Sequence, residues 1–165
     1  MAVTFLGNPI TLKGKQLAVG DKLPDFRLTA NDMSPVAKAD TKGLRVFLTV
    51  PSLDTEVCDL EVRVFNTKAA ELPGVSIYAV SMDLPFAQAR WCGAAGAKAV
   101  KTLSDFHYRS FAEASGAYIE ELGLLTRAVF IVDANDTVAY AEFVPEVGNP
   151  PDYDAVLAKL KELTA

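Results

Sequence analysis

The stretch Leu44-Arg45-Val46-Phe47-Leu48-Thr49-Val50-Pro51-Ser52-Leu53-Asp54-Thr55-Glu56-Val57-Cys58-Asp59 changes character at Pro51. Leu44–Val50 is an apolar run broken only by Arg45 and Thr49, the composition of a strand covered on both faces. Beyond Pro51, Val57, Leu60, Val64 and Ala69 recur at helical spacing, with Phe65 and Leu72 extending the stripe. That pattern predicts a helix from Thr55 to Leu72, stopped by Pro73-Gly74. A buried strand that turns at a proline and runs into a helix is the opening of an α/β unit, and it sets Cys58 near the helix start.

Working outward, Val75–Ser81 and Ala128–Val132 read as two further buried strands, and Pro85–Trp91 as a short helix. Phe106–Ser115 reads as another helix, closed by Gly116. Asp133-Ala134-Asn135-Asp136 is a turn, after which Thr137–Phe143 alternates like an antiparallel partner. Asp152–Leu163 carries Tyr153, Val156, Leu157, Leu160 and Leu163 at helical spacing behind Asp152 as a cap. Near the N-terminus, Val3–Leu6 and Ile10–Leu12 suggest a hairpin turning through Gly7-Asn8-Pro9, and Leu17–Leu28 suggests extended chain. The expectation is an α/β fold with a mixed central sheet flanked by helices. With 165 residues and no repeat, low-complexity tract or long linker, residues 1–165 are expected to form one domain.

Charge and composition exclude several classes of function. A net charge of −5, with scattered lysines whose densest groups are Lys13–Lys15 and Lys159–Lys161, gives no phosphate-binding surface, so no nucleic-acid partner is expected. No apolar run approaches the roughly 18 residues of a membrane helix, so no membrane partner is expected either. The first residues, Met1-Ala-Val-Thr-Phe-Leu-Gly-Asn8, lack a basic segment followed by an apolar run, which leaves the cytoplasm as the expected location. Two cysteines, Cys58 and Cys92, are too few for a disulfide scaffold or a four-thiolate zinc site, and a Cys/His site would have only His107 to recruit.

Two buried, inert cysteines would be one account of that pair. The position of Cys58 offers another. The first turn of a helix carries unpaired N–H groups and a partial positive charge, which favour a thiolate over a thiol. The carboxyl end of a parallel strand is also where α/β proteins place their sites. Thr55, three residues earlier, is either an N-cap or a hydroxyl within reach of the sulfur and of a bound oxygen ligand; both roles can coexist. Asp54, Glu56 and Asp59 act in the opposite direction, because negative charge disfavours a thiolate. A reactive Cys58 therefore requires a cation from elsewhere in the fold. Arg127, directly before the strand Ala128–Val132, is the first candidate, either solvated or drawn into a site; Arg63 and Arg90 are weaker ones.

The spacing Pro51-x-x-x-Thr55-x-x-Cys58 resembles the active-site motif of the peroxiredoxins, and Gly20-Asp21-Lys22-Leu23-Pro24-Asp25-Phe26-Arg27-Leu28 is similar to the segment that precedes it. More finely, the chain resembles the bacterial thiol peroxidase subgroup, of atypical two-cysteine type. Val50–Cys58, the hairpin ending in Lys13-Gly14, Thr126–Asp133 and Pro151-Asp152-Tyr153-Asp154-Ala155 carry that likeness along essentially the whole chain. The resemblance implies a thioredoxin-like fold with an N-terminal β-hairpin and no cofactor or metal. It implies that Cys58 is the peroxidatic cysteine, that Thr55 and Arg127 bind and polarise the peroxide, and that Pro51 shields the thiolate from water. Cys92, in Arg90-Trp91-Cys92-Gly93, falls where the subgroup carries its resolving cysteine, on a helix after the second strand. The substrate would be hydrogen peroxide or an organic hydroperoxide, thioredoxin the reductant, and a homodimer the assembly.

Two rival readings belong to other classes. A thiol–disulfide oxidoreductase on the same fold predicts a Cys-x-x-Cys pair, which the chain lacks. A non-catalytic binding module leaves the Pro51/Thr55/Cys58 spacing unexplained. Because two Cα atoms beyond about 7 Å cannot be bridged without backbone movement, the peroxidase reading further expects the Cys58 or the Cys92 helix to unwind partly in each cycle.

Overall fold

The computed structural model describes residues 2–69, 71–96 and 98–165, with backbone only at residue 69. Its centre is a seven-stranded mixed sheet. In chain order the first strands are β1 (Val3–Phe5), β2 (Asn8–Ile10), β3 (Leu12–Lys13), β4 (Arg27–Thr29), β5 (Pro35–Ala37) and β6 (Leu44–Thr49). Helix α1 (Glu56–Ala69) follows, then β7 (Val75–Ser81), α2 (Pro85–Ala95), β8 (Val100–Ser104) and α3 (Ser110–Ser115). The chain continues through β9 (Tyr118–Ile119), β10 (Leu124–Leu125), β11 (Ala128–Val132), β12 (Val138–Phe143) and α4 (Tyr153–Thr164). The large sheet has the order β12-β11-β6-β7-β8-β4-β5. Only β6, β7 and β8 run parallel, β6 joined to β7 through α1 and β7 to β8 through α2. This is the expected thioredoxin-like arrangement.

The sheet separates two apolar layers. One face packs Phe26, Phe47, Tyr78, Phe111 and Phe130 beneath the N-terminal chain and α3. The other packs Val46, Leu48, Ile77, Ala79, Val129 and Ile131 under α1 and α4, and Cys58 belongs to this second layer. The pleat explains the division, since alternate residues of β6, β7 and β11 point to opposite faces. Asp152 caps α4 as expected, accepting from the Ala155 N–H at 3.0 Å.

Several expectations need correction. The buried face of α1 is Cys58, Glu61, Val62 and Phe65. Of the expected stripe Phe65 lies on it, but Leu60 is exposed, Val57 and Val64 are only half-buried, and these three lie about 100° round from it. A carboxylate occupies a core position, and that conceals the true phase. The hairpin turns at Leu6-Gly7, whose φ values of 52° and 81° make the two-residue turn that suits paired strands. Leu12 consequently belongs to β3, paired with β9, and not to the hairpin. Leu17–Leu28 is largely irregular, but Leu17, Leu23, Phe26 and Leu28 still enter the core. The helix expected from Phe106 starts only at Ser110, because the buried Asp105 carboxylate accepts from the N–H groups of Phe111 and Ala112 and caps it there. Arg45 is fully buried at the far end of β6, where it donates to the carbonyls of Thr41, Gly43 and Asp133 and to the Asp136 carboxylate.

The N-terminal hairpin is stitched to the segment after β12. The Thr4 N–H donates to the Pro145 carbonyl and the Val147 N–H to the Thr4 carbonyl, each at 2.8 Å. Glu146 accepts from the Thr4 hydroxyl and the Gly7 N–H. Among the described residues no helix is long and apolar enough to cross a membrane.

Gly116 ends α3 at φ +73°, and a Cβ there would lie 2.3 Å from the Lys15 carbonyl oxygen. Gly116→Ala should therefore lose about 2–4 kcal/mol, from left-handed strain and overpacking together. A lowered midpoint in urea unfolding at unchanged slope checks this.

Candidate active site

Cys58 is the third residue of α1 and is wholly buried. The turn that delivers it is fixed by Asp83, just after β7, whose carboxylate accepts from the Ser52 hydroxyl at 2.7 Å and the Leu53 N–H at 2.8 Å. Thr55 caps the helix: its Oγ1 accepts from the Cys58 N–H at 3.3 Å and donates to the Ser52 carbonyl at 3.2 Å. Of the two readings of Thr55, the cap is thus the one present in this conformation. Pro51 is buried at the same turn. The N–H groups of Glu56 and Val57, in the first turn, have no partner within the helix.

The required cation is Arg127, itself 2% exposed. Its Nη2 donates to Cys58 Sγ at 3.1 Å, its Nη1 to Glu61 Oε1 at 2.9 Å and its Nε to the Val147 carbonyl at 2.9 Å. Burial alone pulls this guanidinium toward losing its proton, but Cys58 and Glu61 more than offset that and hold it above the usual arginine range. Arg63 and Arg90 do not serve Cys58: Arg63 donates to Asp59 at 2.8 Å, and Arg90 is exposed. Asp54 and Glu56 also face solvent, which weakens their effect on the sulfur. For Asp59, burial raises the carboxyl, yet the bonds from Arg63 and Trp91 prevail and hold it below the usual carboxylate range.

Glu61 has no counterpart among the candidates read from the sequence. It lies three residues after Cys58 on the same helical face, fully buried, with Oε2 unpartnered. Burial pushes its carboxyl up to about 7, against the pull of Arg127. The Tyr153 hydroxyl is likewise buried and unpartnered; burial first, then the Glu61 charge, pushes it up. The signal for Glu61 was a carboxylate spaced with Cys58, Val62 and Phe65, obscured by the misphased stripe.

Cys92 lies on α2, which continues past the expected end at Trp91 until Gly96 closes it in a left-handed conformation. It is half-buried at the wall of a cleft of about 530 Å³, lined in part by Asn31, Asp32, Ser34, Lys101 and Thr102. Its sulfur lies 3.2 Å from Thr102 Oγ1 and 4.0 Å from Asn31 Nδ2. The cleft opens where β4 parts from β8, to which it pairs only at Thr29↔Ser104. Both cysteines are free thiols with separate partners. His107 is exposed and stacks on Tyr108.

The raised Glu61 carboxyl carries a pH dependence of definite sign. Its folded pKa of about 7 exceeds its ordinary 4.5, so its contribution to stability is complete below pH 4.5 and is lost as pH rises through about 7. Wild type should therefore lose stability relative to Glu61→Gln across that window and run parallel to it above. Denaturant unfolding of both proteins at a series of pH values reads this directly.

Comparison with known proteins agrees with this geometry. The profile of the Redoxin family matches residues 18–157. The chain is 55% identical over 157 residues to the thiol peroxidase of Clostridium acetobutylicum, covering 95% of this chain and 96% of that one. It is 49% identical over 162 residues to the thiol peroxidase of Bacillus subtilis strain 168, covering 98% and 97%. Among solved structures, a peroxiredoxin-like protein from Aquifex aeolicus superposes with a TM-score of 0.90 at 42% identity, covering 98% of this chain and 96% of that one. A thiol peroxidase from Chromobacterium violaceum superposes at 0.89 over 98% of this chain and 96% of its own; at 23% identity it speaks for the fold alone. A cysteine at a helix start, a buried arginine upon it and a family match over most of the length converge: the chain belongs to the redoxin family, among its bacterial thiol peroxidases.

Proposed function

We propose that this thiol peroxidase reduces hydrogen peroxide and organic hydroperoxides with Cys58 as the attacking thiolate and Cys92 as its resolving partner. The observation that carries the assignment is the 3.1 Å contact from Arg127 Nη2 to the buried Cys58 Sγ at the start of α1. A guanidinium in that place stabilises the thiolate before reaction and the charge on the peroxide oxygens during it.

Cys58 sulfur attacks one peroxide oxygen; the S–O bond forms as the O–O bond breaks, and the departing alkoxide or hydroxide takes up a proton. Arg127 and the first-turn N–H groups of α1 donate to the two oxygens, joined by the Thr55 hydroxyl once it turns from the Ser52 carbonyl. Pro51 keeps water from the sulfur. The Cys58 sulfenic acid is then attacked by the Cys92 thiolate, so that the S–S bond forms, the S–O bond breaks and the oxygen leaves as water. A dithiol, thioredoxin in this reading, returns both cysteines to thiols by exchange and is itself oxidised to the disulfide. No cofactor or metal takes part in these steps.

Leu60 on α1, and Leu84 and Phe86 in the segment that Asp83 ties to the Cys58 turn, are large apolar side chains exposed to solvent. They support acceptance of alkyl or lipid hydroperoxides, and equally a homodimer formed on this side of the fold. The working location in this reading is the cytoplasm, and residues 1–165 act as one domain.

Peroxide consumption coupled to thioredoxin, its reductase and NADPH tests the assignment. Cys58→Ser should abolish turnover, and Cys92→Ser should consume one equivalent of peroxide and then stop. Full turnover in Cys58→Ser would overturn it.

A further inference from the structure

Cys58 and Cys92 each have an immediate chain neighbour in one polar cluster. The Trp91 indole Nε1 donates to Asp59 Oδ1 at 2.6 Å. Arg63 Nε donates to Asp59 Oδ2 at 2.8 Å, and its guanidinium carbon lies 5.6 Å from the centre of the Trp91 ring, in cation–π range. A single carboxylate thus ties α1, one residue after Cys58, to α2, one residue before Cys92.

Consecutive residues of an α-helix point about 100° apart. With Asp59 and Trp91 facing each other, each helix turns its cysteine aside. Cys58 reaches Arg127, and Cys92 reaches Thr102 and Asn31. A disulfide needs Cα atoms about 4.4–6.8 Å apart and side chains that converge. Rotating or unwinding either helix to bring the sulfurs together carries Asp59 or Trp91 away from its partner. The cluster is therefore compatible with the reduced and sulfenic forms and opposed to the disulfide.

We propose that the Asp59–Trp91–Arg63 cluster is a latch between the two cysteine-bearing helices, and that its opening governs how fast Cys92 reaches oxidised Cys58. The three side chains are positioning residues for resolution, not for peroxide attack. The proposal rests on the roles assigned above to the two cysteines. It has a chemical corollary. While the latch is closed, the Cys58 sulfenic acid waits, and a second hydroperoxide can oxidise it to the sulfinic acid, its O–O bond breaking to leave an alcohol or water. A tighter latch slows the disulfide and favours over-oxidation.

The test is a single turnover with hydrogen peroxide, quenched at intervals with a thiol-alkylating reagent and weighed by mass spectrometry for sulfenic, disulfide and sulfinic forms. Trp91→Phe is the cleanest variant, because it removes the N–H donor and leaves every charge near Cys58 in place. The expected result is peroxide consumption within about twofold of wild type and disulfide formation faster by roughly 3- to 10-fold, the loss of one hydrogen bond that solvent partly screens. The sulfinic fraction at excess peroxide should fall in step. Arg63→Gln, at an exposed position, should move both readings the same way by less. In wild type, emission from Trp91, the only tryptophan in the chain, should change with disulfide formation and not with sulfenic acid formation. Normal sulfenic acid with unchanged or slower resolution in Trp91→Phe would sink the latch and leave the cysteine roles standing. An equal acceleration in Gly116→Ala, which loosens the fold elsewhere, would sink it as well. Absence of any Cys58–Cys92 disulfide in wild type would overturn the roles and the latch together.

Discussion

Burying a guanidinium costs several kcal/mol unless its donors are met and its charge is balanced. Arg127 satisfies both demands by reaching the Cys58 sulfur, the Glu61 carboxylate and the Val147 carbonyl at once. Two acidic groups thereby share one cation in a region closed to water. Burial in that region pushes the Glu61 carboxyl up to about 7 despite its contact with an arginine. A cysteine in that setting is held by charge as well as by packing. The apolar layer of β6, β11, α1 and α4 supplies the low dielectric that makes the pairing strong.

The parts of the fold legible in the sequence were those in which one physical pattern acted alone. Ala128–Val132 is a continuous apolar run and Val75–Ser81 is apolar except for Ser76 and Ser81, and both strands match their expected limits. The turn from Pro51 to Cys58 was legible because proline, a capping threonine and the start of a helix agree with one another. Where two patterns competed, the reading slipped. Val100–Ser104 is a strand with Lys101, Thr102 and Ser104 among its five residues, too polar to announce itself, yet β7 pairs with it in parallel. Phe106–Arg109 reads as helix, but the buried carboxylate of Asp105, immediately before it, fixes the start of α3 further along.

The same logic divides the site. Cys58 and Arg127 were legible because each breaks an expectation of its own segment, a reactive type at a helix start and a charge at the lip of a buried strand. Glu61 and Asp83 were not, since carboxylates in a helix or a turn ordinarily face water, and only tertiary contacts reveal that these do not. The polar cradle of Cys92 is drawn from two separate segments, at Asn31 and Thr102, which no spacing rule connects.

The hairpin at the N-terminus bears on the chemistry through a short chain of contacts. Thr4 binds the backbone of Pro145 and Val147, and the Val147 carbonyl is one of the three acceptors that hold Arg127. The hairpin strands Val3–Phe5 and Asn8–Ile10 therefore buttress the cation through Thr4 and Val147. Shortened or fused at this end, the protein could keep its sheet and its unfolding midpoint while the guanidinium lost its aim. An N-terminal affinity tag is accordingly not an innocent handle here, and activities compared between differently tagged preparations carry the hairpin's contribution with them.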